Sequence, residues 1–122
     1  MVLKKLNEEL TVCQLKDVES IPMGASFYFV GRTREEISLV CRTSEVPAET
    51  INREDGWSVF YIDGVLDFSL VGILAKITRV LADAGIGIFA VSTYNTDYVL
   101  VKKENMSAAM EALRVAGYEV ED

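Results

Sequence analysis

Apolar and polar positions alternate through Leu10-Thr11-Val12-Cys13-Gln14-Leu15, the two-residue period of a half-buried strand. A polar link through Asp17, Glu19 and Pro22 follows. Phe27-Tyr28-Phe29-Val30 and Ile37-Ser38-Leu39-Val40-Cys41 read as two more strands, joined by the polar connection Gly31-Arg32-Thr33-Arg34-Glu35-Glu36. Ser44 to Glu49 predicts a short helix, with Ser44 as cap and Pro47 confined to the first turn. Asp55-Gly56 signals a turn, and the aromatic and β-branched run Trp57-Ser58-Val59-Phe60-Tyr61-Ile62 predicts a strand.

The period then changes. Apolar residues at 70, 73, 74, 77, 80, 81 and 84 follow helical spacing and leave Lys76, Arg79 and Asp83 on the wet side. This predicts a helix over Leu70 to Ala84, with Ser69 as N-cap and Gly85 at the left-handed C′ position. Ile86 to Thr93 and Tyr98 to Lys102 are strands around the turn Tyr94-Asn95-Thr96-Asp97. A second helix is expected over about Asn105 to Ala116, with Met106, Ala109, Met110 and Leu113 on one face, and Tyr118-Glu119-Val120 closes as a strand. Residues 57 to 120 thus spell β-α-β-β-α-β, the ferredoxin-like pattern of an α+β fold.

An internal repeat emerges once a deletion is allowed. Setting Glu36 on Asp97 aligns the two hairpins at an offset of 61, whereas the opening strands match with Thr11 on Ser58 at an offset of 47. The difference of 14 residues is about the length of a four-turn helix. The reading is therefore a β-rich unit over 1–56 that lacks its first helix, followed by a complete unit over 57–122. Trp57 to Ile62 both closes one unit and opens the next, so one strand must be shared, exchanged or lent by a second chain.

Composition narrows the chemistry. With no histidine among 122 residues, His-dependent nucleophile activation, imidazole acid-base steps and His-ligated zinc cannot be built from this chain alone. A net charge of −7 argues against nucleic acid as a partner, since the phosphate backbone calls for clustered positive charge. Cys13 and Cys41 sit inside apolar runs and read as buried small hydrophobes in a reducing compartment. Met1 to Glu9 has basic residues with no apolar stretch after them, so no signal peptide and a cytoplasmic location are expected. The most apolar stretch, Phe68 to Val91, is broken by Lys76, Arg79 and Asp83, so no membrane span is expected.

Three segments together resemble a known family: Trp57-Ser58-Val59-Phe60-Tyr61-Ile62-Asp63-Gly64, then Gly72-Ile73-Leu74-Ala75, then Ile88 to Val101 with Ser92-Thr93-Tyr94-Asn95-Thr96-Asp97-Tyr98 on a hairpin. The chain is similar to tandem ACT-domain proteins related to CASTOR-type amino-acid sensors, over about Gly24 to Val120 and more strongly in its second part. The resemblance implies a non-catalytic regulatory module that binds an amino acid or similar small molecule, without cofactor or metal. It implies a site at Gly64, Val65, Leu66, Asp67, Phe68, Ser69 and Gly72, facing Thr93, Thr96 and Asp97, with Asp97 the position most directly carried over.

The residues themselves are compatible with such a site. A helix start near Leu70-Val71-Gly72 offers amide N–H groups to a carboxylate, and Gly72 has no Cβ in the way of a close approach. Asp67 and Asp97 supply acceptors for an ammonium. Each also has a structural alternative: Asp67 as a turn residue, Ser69 as a helix cap and Asp97 as part of the hairpin. Two function classes follow, an amino-acid-binding regulator and an assembly or protein-interaction module that binds no small ligand. A homodimer is expected from the missing strand.

Overall fold

The computed structural model describes residues 1–122. Its elements are β1 (Val2–Leu15), β2 (Tyr28–Arg32), β3 (Ile37–Arg42), β4 (Asn52–Ile62), α1 (Ile73–Asp83), β5 (Phe89–Ser92), β6 (Asp97–Lys102), α2 (Met106–Val115) and β7 (Glu119–Glu121). Single 3-10 turns stand at Val18–Ser20, Thr43–Glu45 and Lys103–Asn105. The architecture is α+β, and no helix is long and apolar enough to cross a membrane.

The chain divides into two compact units, Glu8–Trp57 and a larger one made of Met1–Asn7 with Ser58–Asp122. This differs from a single cut at 56/57 in assigning the first seven residues to the larger unit. The physical reason is Leu3, fully buried in a core with Phe60, Ile62, Ile77, Leu81, Val101 and Leu113. A buried side chain of this size contributes about 1.5–3 kcal/mol, which adds to the strand pairing of Val2 to Lys4 with β7.

In the larger unit the strand order is β7, β1, β4, β6, β5. β7 lies parallel to β1, with Val2 opposite Glu119 and Leu3 opposite Val120. β1 and β4 each cross the division at 7/8 and 57/58, so both contribute to both units. The strand shortage read from the sequence is thereby met inside one chain. α1 and α2 bury Ile77 and Leu81, and Met106, Ala109, Met110 and Leu113, at the spacings their periodicity predicts.

The smaller unit is ordered β2, β3, β1, β4. Its antiparallel registers put Thr11 opposite Cys41 and Phe29 opposite Val40. Its core joins Cys13, Leu15, Leu39 and Cys41, with Ile21, Tyr28, Ile37 and Val46 packed against them. Both thiols are free and buried; desolvation pushes that of Cys41 up to about 11 and raises that of Cys13 as well.

Several boundaries move. β1 begins at Val2 instead of Leu10, and the helix expected over Ser44 to Glu49 is only the 3-10 turn Thr43–Glu45, because the chain turns extended at Val46, ahead of Pro47. Asp55-Gly56 lies inside β4, where Gly56 takes φ +85°, a conformation glycine tolerates without breaking the strand. The two hairpin turns match at an offset of 60 instead of 61. Thr33 N–H donates to the Glu36 carbonyl at 2.9 Å, as Thr93 N–H does to that of Thr96 at 2.8 Å. Ile37–Arg42 and Asp97–Lys102 then share one sequence of burial, position for position.

Candidate functional site

The site region is built from two segments, the loop 63–72 and the hairpin turn 93–96. Two hydrogen bonds clamp them together: Leu66 N–H donates to the Asn95 carbonyl at 2.7 Å, and the Thr96 hydroxyl donates to the Ile62 carbonyl at 2.6 Å. Thr96 is buried, so this second bond is shielded from water and correspondingly costly to lose. Thr93 stiffens the turn by donating its hydroxyl to the Thr96 carbonyl at 3.1 Å.

Loop and helix meet differently from the sequence expectation. α1 starts at Ile73, three residues later than expected, and its N-cap is Gly72 at φ +80°, not Ser69. A Cβ at Gly72 would meet nothing within 4 Å, so the left-handed backbone, and not clearance, is what calls for glycine there. Ser69 instead gives its N–H to Asp67 Oδ1 at 2.7 Å, while Leu70 N–H donates to the Asp67 carbonyl at 3.0 Å. Asp67 thus organises a turn, and the Ser69 backbone and hydroxyl bonds hold its carboxyl below the usual range.

A cleft of about 350 Å³ lies between these segments. Of the ten residues expected at a site, Leu66, Asp67, Phe68, Gly72, Thr93, Thr96 and Asp97 line it, while Gly64, Val65 and Ser69 do not. Leu70, expected only as part of a helix start, and Ile73, Leu74, Ala75, Ser92, Tyr94 and Asn95, which lie in the resembling segments but are not among the residues expected at the site, complete the lining. The late helix start explains Ile73, Leu74 and Ala75: the open amide end of α1 falls at Gly72 to Ala75. For Ser92, the signal was the hairpin register, which sets it opposite Asp97 and lets its hydroxyl donate to Asp97 Oδ1 at 2.5 Å.

The lining carries two carboxylates, Asp67 and Asp97, and no basic side chain, among walls of leucine, isoleucine and aromatic rings. Phe68 and Tyr94 meet edge to face with centroids 4.9 Å apart, although they are 74% and 80% exposed. Val65, Leu70 and Val71 are also largely exposed in the same loop. Chemically, the lining combines amide donors at a helix end, two carboxylates and an apolar remainder.

A family model for the ACT domain matches residues 52–115, and a second model, for an N-terminal domain, matches residues 8–49. The fold superposes with a TM-score of 0.86 on a protein of Agobacterium tumefaciens solved as a structural-genomics target, at 32% identity over 99% of this chain and 92% of that one. A Vibrio cholerae protein of unknown function, described as a possible transport protein, follows at 0.74, 19% identity, 91% and 85% coverage. The ligand-free regulatory subunit of aspartate kinase from Thermus thermophilus superposes at 0.66, with 13% identity, 94% and 96% coverage. The last two similarities are similarities of fold.

Proposed function

Since the chain belongs to the ACT-domain family, we propose that it is a non-catalytic regulatory protein that binds a free amino acid or close relative in the cleft of its larger unit. The observation that carries this reading is the pairing, in one cleft, of the amide end of α1 with the carboxylates Asp67 and Asp97 among apolar walls. A zwitterion with an apolar side chain complements all three elements. The CASTOR-type relationship is part of the same reading, supported by the run Ser92 to Tyr98 on the hairpin. So is a cytoplasmic location, which suits two buried, free thiols. The smaller unit is read as a degenerate ACT-like unit, supported by hairpins of matching turn and burial.

A homodimer completes the proposal. The missing strand no longer argues for it, but the exposed Val65, Phe68, Leu70, Val71 and Tyr94 do, because a monomer rarely leaves so many large apolar side chains together in water. The same patch favours a second reading, an interaction module that binds no small ligand.

A thermal-shift panel of the common amino acids separates the two. Under the first reading one amino acid at a hundredfold excess over its Kd stabilises the fold by about 2.7 kcal/mol, a rise of about 5–10 °C. A flat panel supports the interaction module. Asp97→Asn keeps the hairpin and an acceptor for Ser92 but removes the charge, so affinity for that amino acid falls about ten- to a hundredfold while the ligand-free midpoint stays in place. Equal binding by parent and variant would make Asp97 structural.

A further inference from the structure

A second cleft, also of about 350 Å³, opens on the larger unit and shares no lining residue with the first. Its chemistry runs against that of the chain. Whereas 19 acidic side chains outnumber 12 basic ones overall, this cleft gathers Lys5, Lys103 and Arg114 against one acid, Asp122, with the hydroxyls of Ser58 and Ser107 among them.

The placement follows from the periodicities of the elements. Lys5 stands two residues after the fully buried Leu3 on β1, and Ser58 two before the fully buried Phe60 on β4. Alternation therefore puts both on the core-facing side of their strands, where an apolar residue is the ordinary choice. Lys103, Ser107, Met110 and Arg114, spaced by four, three and four, form one stripe along α2 and the turn before it. Met106 and Met110, both buried, supply the apolar part of the lining.

Arg114 is loosely engaged here compared with Arg42 elsewhere in the chain. Arg42 grips Glu8 through two bonds of 2.8 and 3.0 Å, a bidentate pair. Arg114 meets Glu111 and Asp122 only at 3.8 Å each, where an ion pair in water is weak and easily exchanged.

We propose that this cleft binds the phosphate group of a small phosphorylated molecule. A phosphate monoester carries between one and two negative charges near neutral pH, with three acceptor oxygens. Two ammonium groups and a guanidinium, set against the one carboxylate of Asp122, leave about two positive charges, and with the two hydroxyls they match that charge and those acceptors. A carboxylate carries a single charge and leaves the site under-neutralised. The amino-acid cleft and its ligand are distinct from this one, so either reading can fail alone.

Titration of the isotope-labelled protein with inorganic phosphate at constant ionic strength, followed by amide NMR shifts, tests the site, with acetate as the singly charged comparison. The expected result is saturable shifts centred on Lys5, Ser58, Lys103, Ser107 and Arg114, with a dissociation constant of about a millimolar or below and acetate at least about tenfold weaker. Arg114→Gln and Lys5→Gln each weaken phosphate about tenfold or more, with unchanged thermal midpoints because both side chains are exposed. Either variant alone suffices should the other fail to fold. Shifts that do not saturate, equal affinity for acetate, or full binding by the folded variants overturn the proposal.

Discussion

The turn 33–36 in the smaller unit and the turn 93–96 in the larger are closed by the same threonine N–H to carbonyl bond. The strands that follow bury the same three central residues and end in the same single 3-10 turn. What meets each turn differs. Turn 93–96 is met by the loop 63–72, which leads into α1, while in the smaller unit β1 is followed by only the 3-10 turn Val18–Ser20 before β2. The lining around turn 33–36 is accordingly charged, with Lys16, Arg32, Arg34, Glu35 and Glu36. One backbone device thus yields a charged surface in one unit and a cleft with largely apolar walls in the other. The difference lies in the added loop and helix, which supply amide donors and apolar walls that a hairpin cannot provide alone.

The comparison breaks most directly at the strands that the hairpins share. Leu39→Ala in β3 and Leu100→Ala in β6, neighbouring positions under the offset of 60, each remove a fully buried side chain and should each cost about 2–5 kcal/mol in chemical denaturation. A much smaller loss in one hairpin means that the two are packed differently despite their matching burial. Next in size, Thr96→Val leaves the Ile62 carbonyl without its buried donor and should cost about 1–3 kcal/mol. Glu36→Ala, at the equivalent exposed position, should stay within about 0.5 kcal/mol.

A smaller effect is expected at high pH, again at matched positions. Cys41 in β3 corresponds to Val101 in β6, and both are fully buried. Because burial raises the Cys41 thiol from 9.0 to about 11 in the folded state, its neutral form is favoured by folding. That stabilisation is complete below pH 9 and is lost as pH rises toward 11. Denaturation midpoints of the parent should therefore fall across this window, and Cys41→Val should flatten the fall. An identical slope in parent and variant excludes Cys41 as its source. Smallest of all, Asp67→Asn retains a side-chain oxygen for the Ser69 N–H and should leave the ligand-free midpoint unchanged.

Residues whose period is strong are legible from the amino-acid sequence alone. α2 buries the four residues its spacing names, and Trp57 to Ile62 lies in a strand. The first half of β1 is not legible, because Lys4, Lys5, Asn7, Glu8 and Glu9 hide the one buried anchor, Leu3. The start of α1 is misplaced because Leu70 and Val71 continue the apolar pattern while lying exposed at the cleft, with the backbone deciding the start at Gly72. At the site, Asp67 and Asp97 are legible as carboxylates. Ser92 is not, since its place depends on a cross-strand register that a one-residue error conceals.

The pairing of Val2 with Glu119 joins opposite ends of the described chain, and this gives the two units different timetables during synthesis. The smaller unit has all its residues once position 57 has emerged from the ribosome, and it encloses only contacts of moderate sequence separation. The larger unit must hold its opening strand in reserve until β7 is translated. Its closure is therefore late, because residues of β1 are made long before the neighbours they find in β7.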